Sequence, residues 1–207
     1  MKKIWFAMMS IMLAFSTSAV QFTEGKQYIQ LKNSFTNEPQ VLEFFSFYCS
    51  HCYQFEQVYH ISNKIKKALP TDIKITKYHV DFLGPLGKQL TQAWSVAIAL
   101  EVEDKVSPLI FDALQKIHTV QTSEDIRSIF IKAGVNAEKY DSAWNSFVVK
   151  LLVEQQKKAA ADLQLRGVPA MFINGKYMIK NDGLDMSSMD AYTKQFADVV
   201  EFLLTQS

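Results

Sequence analysis

The spacing of apolar residues changes several times along the chain, and each change marks a predicted element. Residues 28–31 (YIQL) form a candidate strand, and the apolar run that follows Pro39 (PQVLEFFSF) is typical of a buried, two-sided strand. From Ser50 the apolar residues recur at helical spacing until Pro70. Residues 72–80 (DIKITKYHV) then read as a strand. Strand, helix and strand in this order predict a right-handed crossover with parallel pairing.

The middle of the chain, from Gly84 to about Asp162, has helical spacing and hardly any strand signal. One helical segment follows Thr122, which we expect to be its N-cap, and stops at Gly134. A longer helical run starts at Ala137 (AEKYDSAWNSFVVKLLVEQQKKAAADLQL) and closes this part of the chain.

Strand signals return at residues 168–180 (VPAMFINGKYMIK), where Asn174-Gly175 is a strong hairpin signature. A last helix follows, with Ser187 and Asp190 in capping-box spacing. The order of the elements therefore predicts an α/β fold: a small mixed sheet flanked by helices, with an all-helical domain inserted into it.

The first nineteen residues have the pattern of a secretory signal. Lys2 and Lys3 precede an apolar stretch from Ile4 to Phe15, and small residues follow, so we expect cleavage after Ala19. A membrane anchor is the alternative, but it needs roughly 20 apolar residues, more than this stretch provides.

Charge and length exclude some classes of function. Without Lys2 and Lys3, the chain has 20 basic side chains against 21 acidic ones. This balance gives no electrostatic case for binding nucleic acid or an anionic membrane surface. The chain is long enough to bury a core of its own, so stability does not require a disulfide.

The two cysteines of the chain, Cys49 and Cys52, enclose His51 at the predicted junction of a strand and a helix. Backbone N–H groups of the first helical turn, at His51 and Cys52, are expected to point at the sulfur of Cys49 and to stabilise its thiolate. Cys49 would then be the attacking and leaving group in disulfide exchange, and Cys52 the resolving thiol. His51 can add a hydrogen bond or positive charge.

Two other interpretations of the cysteine pair are disfavoured. Zinc usually takes four ligands, and the chain has no second cysteine pair, while His60, His79 and His118 are scattered. A purely structural disulfide between Cys49 and Cys52 would close a very small loop and remove little entropy from the unfolded chain.

Residues 43–56 (EFFSFYCSHCYQFE), 76–82 (TKYHVDF) and 162–177 (DLQLRGVPAMFINGKY) resemble the DsbA family of periplasmic thiol:disulfide oxidoreductases from Gram-negative bacteria, and so does the last helix. The resemblance implies a thioredoxin fold with an inserted helical domain. We expect the thioredoxin-like domain at 20–83 and 163–207 and the inserted domain at 84–162.

The resemblance implies further site residues. Val168 and Pro169 match a cis-proline motif beside the cysteines; on base rates alone, an ordinary trans proline would be expected. Glu43 matches an acidic residue that lies beneath the disulfide and helps to move protons. Its position in an apolar run makes Lys77, on the neighbouring predicted strand, a possible partner, whereas an exposed edge-strand glutamate is the alternative.

A peptide-binding surface around the cysteines is also implied by the resemblance. Apolar area exposed beside a reactive thiol would suit unfolded polypeptides. Three of the matching apolar residues sit on helices, where a core position is an equally good interpretation. The matching residues are His51, Phe55, Val168, Met189 and Tyr192.

Ser50 departs from the family pattern, in which the dipeptide between the cysteines is usually Pro-His. Serine restores a backbone N–H and adds a hydroxyl that can bond to the sulfur or compete as a cap. The strength of this protein as an oxidant is therefore open, although the type of reaction is not.

The function implied by the resemblance is that of a periplasmic dithiol oxidase. Reduced, folding polypeptides would receive the Cys49–Cys52 disulfide through a mixed disulfide at Cys49, and a quinone-linked inner-membrane protein of the DsbB type would reoxidise the enzyme. We expect a monomer without cofactor or metal. The alternatives are an isomerase or reductase of the same fold and a non-catalytic peptide-binding chaperone. Isomerases of the family carry a separate dimerisation domain ahead of the catalytic domain, and we do not expect such a domain before the strand that leads to the cysteines.

Overall fold

A five-stranded mixed sheet lies at the centre of the α/β part of the protein. The computed structural model describes residues 21–32, 40–71 and 73–206, so the expected signal peptide (1–19) lies outside the described residues. The strands occur in the order β1-β5-β4-β2-β3 across the sheet. Their bounds are Tyr28–Gln30 (β1), Val41–Phe45 (β2), Ile75–His79 (β3), Ala170–Ile173 (β4) and Tyr177–Ile179 (β5).

Helices account for most of the remaining structure, and two of them continue into a π-helical turn. No helix in the described ranges is both long and apolar enough to cross a bilayer. The helices are α1 (Ser50–Tyr53) with the first π-helix (Gln54–Val58), α2 (Ile61–Ala68), α3 (Gly87–Leu100), α4 (Glu103–Asp112) with the second π-helix (Ala113–Ile117), α5 (Ser123–Lys132), α6 (Ala137–Trp144), α7 (Phe147–Asp162) and α8 (Met189–Leu204).

The strand before the cysteines, β2, is central and fully buried. It pairs in parallel with β3 and antiparallel with β4, which confirms the predicted parallel crossover. In this register Glu43 lies opposite Lys77 on one side and Met171 on the other. Glu43 is thus on a central strand, and its side chain is buried.

The hairpin between β4 and β5 has the turn that its sequence predicts. Asn174 and Gly175 both have positive φ, 53° and 58°. Asn and Gly tolerate positive φ most readily, and the Lys176 N–H closes the turn by donating to the carbonyl oxygen of Ile173 (3.0 Å); residues 174–176 form the loop between the paired Ile173 and Tyr177. The strands pair antiparallel, as expected.

Five helices, α3 to α7, lie between β3 and β4 in the chain and form the helical insertion. Their buried apolar side chains share one core with Phe45 and Phe47 from the end of β2 and with Cys52. The insertion thus packs directly against the segment that carries the cysteines. Division into domains at residues 83/84 and 162/163 stays a prediction.

Helix ends differ from the sequence-based expectation in three places. The long run from Ala137 is two helices, because the Ser146 hydroxyl caps a new helix by accepting a hydrogen bond from the Val149 N–H (3.1 Å). At α8 the cap is Ser188, one residue later than expected. His60, with φ of 52°, interrupts the helix that follows the cysteines. Thr122 caps α5 as predicted.

Candidate active site

Cys49 and Cys52 form a disulfide at the start of α1, with their Cα atoms 5.1 Å apart. Cys49 is the N-cap residue and has extended backbone geometry, while Cys52 lies one turn into the helix. Cys49 is half-buried, whereas Cys52 is only 1% exposed. A thiolate from another molecule therefore has access to the sulfur of Cys49 and not to that of Cys52.

Two backbone groups flank the sulfur of Cys49. The N–H of Cys52 donates a hydrogen bond to Sγ of Cys49 (3.0 Å), and the carbonyl oxygen of Val168 lies 3.4 Å from the same sulfur. The first contact confirms one of the two predicted N–H donors. The other, at His51, makes no such bond, because an N-cap side chain reaches the third residue of the helix in this geometry. The donor and the positive end of the helix both favour a thiolate at Cys49.

The segment between β2 and Cys49 is held from two sides. The N–H of Phe47 donates to Nε2 of His79 (3.1 Å), and the carbonyl oxygen of Phe47 accepts from Nε2 of Gln115 (2.7 Å). The N–H of Cys49 donates to the carbonyl oxygen of Ser46 (3.0 Å). The backbone position of the cysteine is thus set by β3 and by the second π-helix together.

His79 is buried and neutral. Burial lowers its pKa to about 3. Because Nε2 accepts the Phe47 N–H, the ring proton is on Nδ1, which donates to the Thr91 hydroxyl (2.8 Å). The Thr91 hydroxyl in turn donates to the carbonyl oxygen of Gly87 (3.1 Å). Sequence reasoning treated His79 only as a scattered histidine and missed Gln115, because both act on Phe47 from more than thirty residues away.

A cluster of charged side chains joins β2, β3 and the first π-helix, in which Glu56 lies four residues after Cys52. Glu43 is buried, and Nζ of Lys77 lies 3.5 Å from its Oε2 atom, so the predicted pair is present. Lys77 also contacts Glu56 of the first π-helix. The Ser62 hydroxyl lies 2.8 Å from Oε2 of Glu43 and contacts Glu56. Sequence reasoning missed Glu56 and Ser62; the four-residue spacing of Cys52 and Glu56 was the available signal.

Burial and charge act in opposite directions in this cluster. Burial raises the pKa of Glu43 to about 7, with Lys77 opposing the shift and Glu56 adding to it. Burial also acts to lower the pKa of Lys77, but the two carboxylates outweigh it, so the net shift is upward. Near neutral pH, Glu43 can therefore both bind and release a proton, whereas Lys77 stays charged.

The Val168-Pro169 peptide bond is cis, as the family resemblance implied. Val168 is partly buried, and its carbonyl oxygen faces the sulfur of Cys49, as described above. The carbonyl oxygen of Pro169 accepts a hydrogen bond from Nδ2 of Asn181 (3.0 Å). The strand that begins at Ala170 thus starts beside the disulfide.

The residues expected on a peptide-binding surface divide into two groups. His51 and Met189 are exposed. Phe55 and Tyr192 are buried, and Phe55 packs edge-on against Phe196 with ring centroids 5.5 Å apart. Phe55 and Tyr192 thus occupy the core positions that their helical spacing also allowed, and their part in a peptide-binding surface stays a prediction.

Ser50 is the first residue of α1 and is exposed. Its hydroxyl makes no hydrogen bond to the sulfur of Cys49, whose donor is the backbone of Cys52. Across residues 21–32, 40–71 and 73–206, no three His, Cys, Asp or Glu side chains cluster in a way that could hold a metal ion. The reactive groups that the structure places here are the two sulfurs and the ionisable side chains of Glu43, Glu56 and Lys77.

The sheet order, the helical insertion after β3 and the cysteine pair at the head of the helix after β2 define a class: thioredoxin-fold thiol:disulfide oxidoreductases with a helical insertion. The family model of the DSBA-like thioredoxin domain matches residues 40–192, more than half of the chain. The chain belongs to this family, and it is an oxidoreductase that acts on disulfides.

Full-length relatives agree with this assignment. The thiol:disulfide interchange protein DsbA of Pectobacterium carotovorum is 71% identical over 206 residues, and that of Yersinia pestis is 68% identical; the alignments cover all of both chains. A structure of Proteus mirabilis DsbA with the non-covalently bound peptide PWATCDS has a TM-score of 0.87 and 53% identity. The alignment covers 90% of this chain and all of the Proteus mirabilis chain.

Proposed function

We propose that this protein is a dithiol oxidase of the periplasm that donates its Cys49–Cys52 disulfide to reduced polypeptides. The observation that carries the proposal is the contrast between the two sulfurs. Cys49 is accessible and accepts a hydrogen bond from the Cys52 N–H, whereas Cys52 is buried. A cysteine in this setting is a good electrophile in the disulfide and a good leaving group afterwards.

The reaction has two exchange steps. A substrate thiolate attacks Sγ of Cys49, the disulfide breaks, and the sulfur of Cys52 leaves with the electron pair and takes up a proton. A second substrate thiolate then attacks the substrate sulfur of the mixed disulfide and expels Cys49 as a thiolate. The substrate loses two electrons and the enzyme gains them. The Cys52 N–H stabilises the departing Cys49 sulfur.

Glu43 is the proposed proton source for Cys52. Its pKa of about 7, raised mainly by burial, suits a group that exchanges a proton near neutral pH. Lys77 keeps the ionised form of Glu43 tolerable inside the protein. Ser50, by contrast, acts on the potential of the disulfide through the first turn of α1.

Polypeptides with free cysteines are the proposed substrates. The Proteus mirabilis relative holds a cysteine-containing peptide, which supports this class of substrate. In this chain the carbonyl oxygen of Val168, before Pro169, is placed to accept a hydrogen bond from an extended peptide at Cys49. His51 and Met189 supply exposed surface beside it. Phe55 and Tyr192 support that surface from the core.

Turnover requires that the reduced enzyme be oxidised again. We assign this step to a quinone-linked inner-membrane protein of the DsbB type, and we expect the enzyme to act as a monomer without a bound cofactor. The signal-like segment at residues 1–19 supports export to the periplasm, the compartment in which such a pathway would operate.

A trapping experiment tests the direction of attack. The Cys52→Ser protein, mixed with a cysteine-containing peptide and its disulfide dimer, should accumulate a mixed disulfide at Cys49 that mass spectrometry identifies. The Cys49→Ser protein should form none. A mixed disulfide at Cys52 in the Cys49→Ser protein would contradict the proposed order of the two sulfurs.

A second measurement separates the oxidase from its rivals. Ultraviolet absorbance of the reduced protein should show that the Cys49 thiolate persists at a pH well below that of free cysteine, and equilibration with glutathione should show a readily reduced disulfide. Rescue of client folding by Cys49→Ser would instead favour a chaperone. Faster repair of a scrambled disulfide protein than oxidation of a reduced one would favour an isomerase.

A further inference from the structure

Ser62 lies between two carboxylates. It lies in the first turn of α2 and is 4% exposed. Its hydroxyl lies 2.8 Å from Oε2 of Glu43 and also contacts Oε1 of Glu56. These two carboxylates come from different elements, β2 and the first π-helix, so Ser62 is a physical link between them.

A hydroxyl has one proton to donate, and this limits how the cluster can be satisfied. When both carboxylates are ionised, Ser62 serves only one of them, and Lys77 must neutralise the other. When Glu43 is protonated, its O–H donates to Ser62 and the Ser62 O–H donates to Glu56, so every proton has an acceptor. The hydroxyl can therefore receive a proton on one side and release one on the other.

The two carboxylates differ in their access to water. The side chain of Glu43 is 2% exposed and that of Glu56 is 12% exposed. Glu56 lies four residues after Cys52, in the π-helix that continues α1, about one turn further along the chain. A proton that passes from Glu43 to Glu56 moves from the interior toward solvent.

Three polar side chains face Glu43, and Glu56 is close enough to add a hydrogen bond to it directly. Lys77 faces it from β3, Glu56 from the first π-helix and Ser62 from α2, whereas the opposing residue on β4 is Met171, which is apolar. Of these, Ser62 is the one that can accept a proton from Glu43 and donate its own in return. Lys77 can only donate.

We propose that Ser62 is a positioning residue that connects Glu43 to Glu56 and thereby lets the buried carboxyl exchange its proton with solvent. In each exchange the proton of Glu43 moves to the Ser62 oxygen while the Ser62 proton moves to Glu56; no electrons are transferred. When Glu43 has given its proton to Cys52, the same steps in reverse restore it. This role rests on the proposed function, in which Glu43 serves Cys52.

Substitutions at Ser62 test the link. Ser62→Val and Ser62→Thr are a matched pair of the same shape, and only threonine keeps the hydroxyl. The protonation of Glu43 is measured by the infrared carboxyl band of the oxidised protein against pH, assigned by its loss in Glu43→Gln. Because a donor to the ionised carboxylate is lost, Ser62→Val should raise the pKa of Glu43 by about one unit, and Ser62→Thr should leave it close to the wild-type value.

A kinetic measurement tests the exchange itself. A mixed disulfide between Cys49 and glutathione is prepared, and its resolution by Cys52, which must lose its proton, is followed at neutral pH. Ser62→Val should slow this step about tenfold, a modest part of what a general base contributes, and Ser62→Thr should restore it. Equal titration of Glu43 in the valine and threonine proteins, or equal rates, would overturn the proposal. If Ser62→Val does not fold, Ser62→Ala replaces it in the same comparison.

The two proposals can fail separately. The infrared titration needs no substrate, so a shift of Glu43 in Ser62→Val supports the link even if the protein proves to be no oxidase. Oxidase activity together with an unshifted Glu43 would remove the role of Ser62 and leave the proposed function standing.

Discussion

Nε2 of His79 accepts a hydrogen bond from the backbone N–H of Phe47 (3.1 Å), two residues before Cys49. This contact requires a neutral imidazole, because a protonated ring has no acceptor nitrogen. Burial, which lowers the pKa of His79 to about 3, keeps the ring in that form. The backbone conformation of the residues that precede Cys49 therefore depends on a histidine that stays uncharged down to acid pH.

Acid should destabilise the protein through His79. The unfolded pKa is about 6.5 and the folded pKa is about 3, so the unfolded chain binds more protons between these values. The stability associated with neutral His79 is thus complete above about pH 6.5 and is lost as the pH falls toward 3. Urea unfolding at pH 7, 6 and 5 should show that the difference in stability between wild type and His79→Gln shrinks by about 1–2 kcal/mol across this range.

Stability measured between pH 7 and 5 separates the effect of His79 from that of the acidic groups whose pKa values are lowered. Hydrogen bonds lower the pKa values of Asp125, Asp141 and Asp185, and these groups affect stability below about pH 4. Glu43 acts across the same window as His79 with the opposite sign, but it does so in both proteins and cancels. Parallel stability curves for wild type and His79→Gln would contradict the assigned role.

Removal of the buried charge at Glu43 should stabilise the protein at alkaline pH. Its pKa rises from 4.5 to about 7 on folding, so the folded state holds the proton more tightly. That contribution is complete below pH 4.5 and is lost as the pH rises through 7. In urea unfolding, the free energy of unfolding of Glu43→Gln should therefore exceed that of wild type by about 1–3 kcal/mol at pH 8, and by less at pH 5.

Glu201 provides the control for Glu43, since it is an exposed carboxylate on α8. Glu201→Gln should change stability by less than about 0.5 kcal/mol at either pH. A Glu43→Gln protein that is less stable than wild type at pH 8 would show that the ion pair with Lys77 outweighs the burial of the charge.

Gln115 should influence the disulfide although it lies in the helical insertion. Its Nε2 donates to the carbonyl oxygen of Phe47 (2.7 Å), and Gln115→Met removes that donor while keeping the volume. We expect a loss of about 1 kcal/mol in unfolding free energy and a measurable shift in the glutathione equilibrium of the cysteine pair. The donor Gln92, bonded to the carbonyl oxygen of Trp144 far along the chain, provides the matched control Gln92→Met. A shift of the same size in both proteins would show a general loss of stability.

Ser50→Pro should change the redox equilibrium and leave the helix intact. Ser50 is the first residue of α1, where the backbone N–H has no partner within the helix and the φ of proline is suitable. The unfolding free energy of the protein with both cysteines replaced by alanine should change by less than about 1 kcal/mol. The constant for exchange with glutathione should differ from that of wild type, and an unchanged constant would refute a role of this position in setting the potential.

Gly84 should not tolerate a side chain. Its φ is +69°, and a Cβ atom there would meet the ring of Tyr48, the residue before Cys49, at less than any permitted contact distance. Gly84→Ala should cost about 2–4 kcal/mol in thermal or urea unfolding. Gly134→Ala is the control, because Gly134 also has positive φ (+88°) but open space around it; its cost of about 1 kcal/mol reports the backbone alone. Equal costs would argue against the contact with Tyr48.

Much of the fold follows from the sequence because the signals are local. The buried run of β2, the helical spacing after Ser50, the Asn174-Gly175 turn and the Thr122 cap each depend on residues within a few positions of one another. Local signals also placed the cysteines at the junction of a strand and a helix. Local signals did not locate the break between α6 and α7, because a capping serine such as Ser146 looks like any other serine inside a helical run.

The sequence by itself determined the chemistry: two cysteines one helical turn apart at the head of a helix, and a glutamate within an apolar strand. Only the tertiary structure decided which groups surround them. Ser62 and Glu56 join Glu43, and His79 and Gln115 hold Phe47, through contacts between elements that are distant in the chain. The physical reason is that a hydrogen bond across the core depends on how helices and strands pack, which no short stretch of sequence encodes.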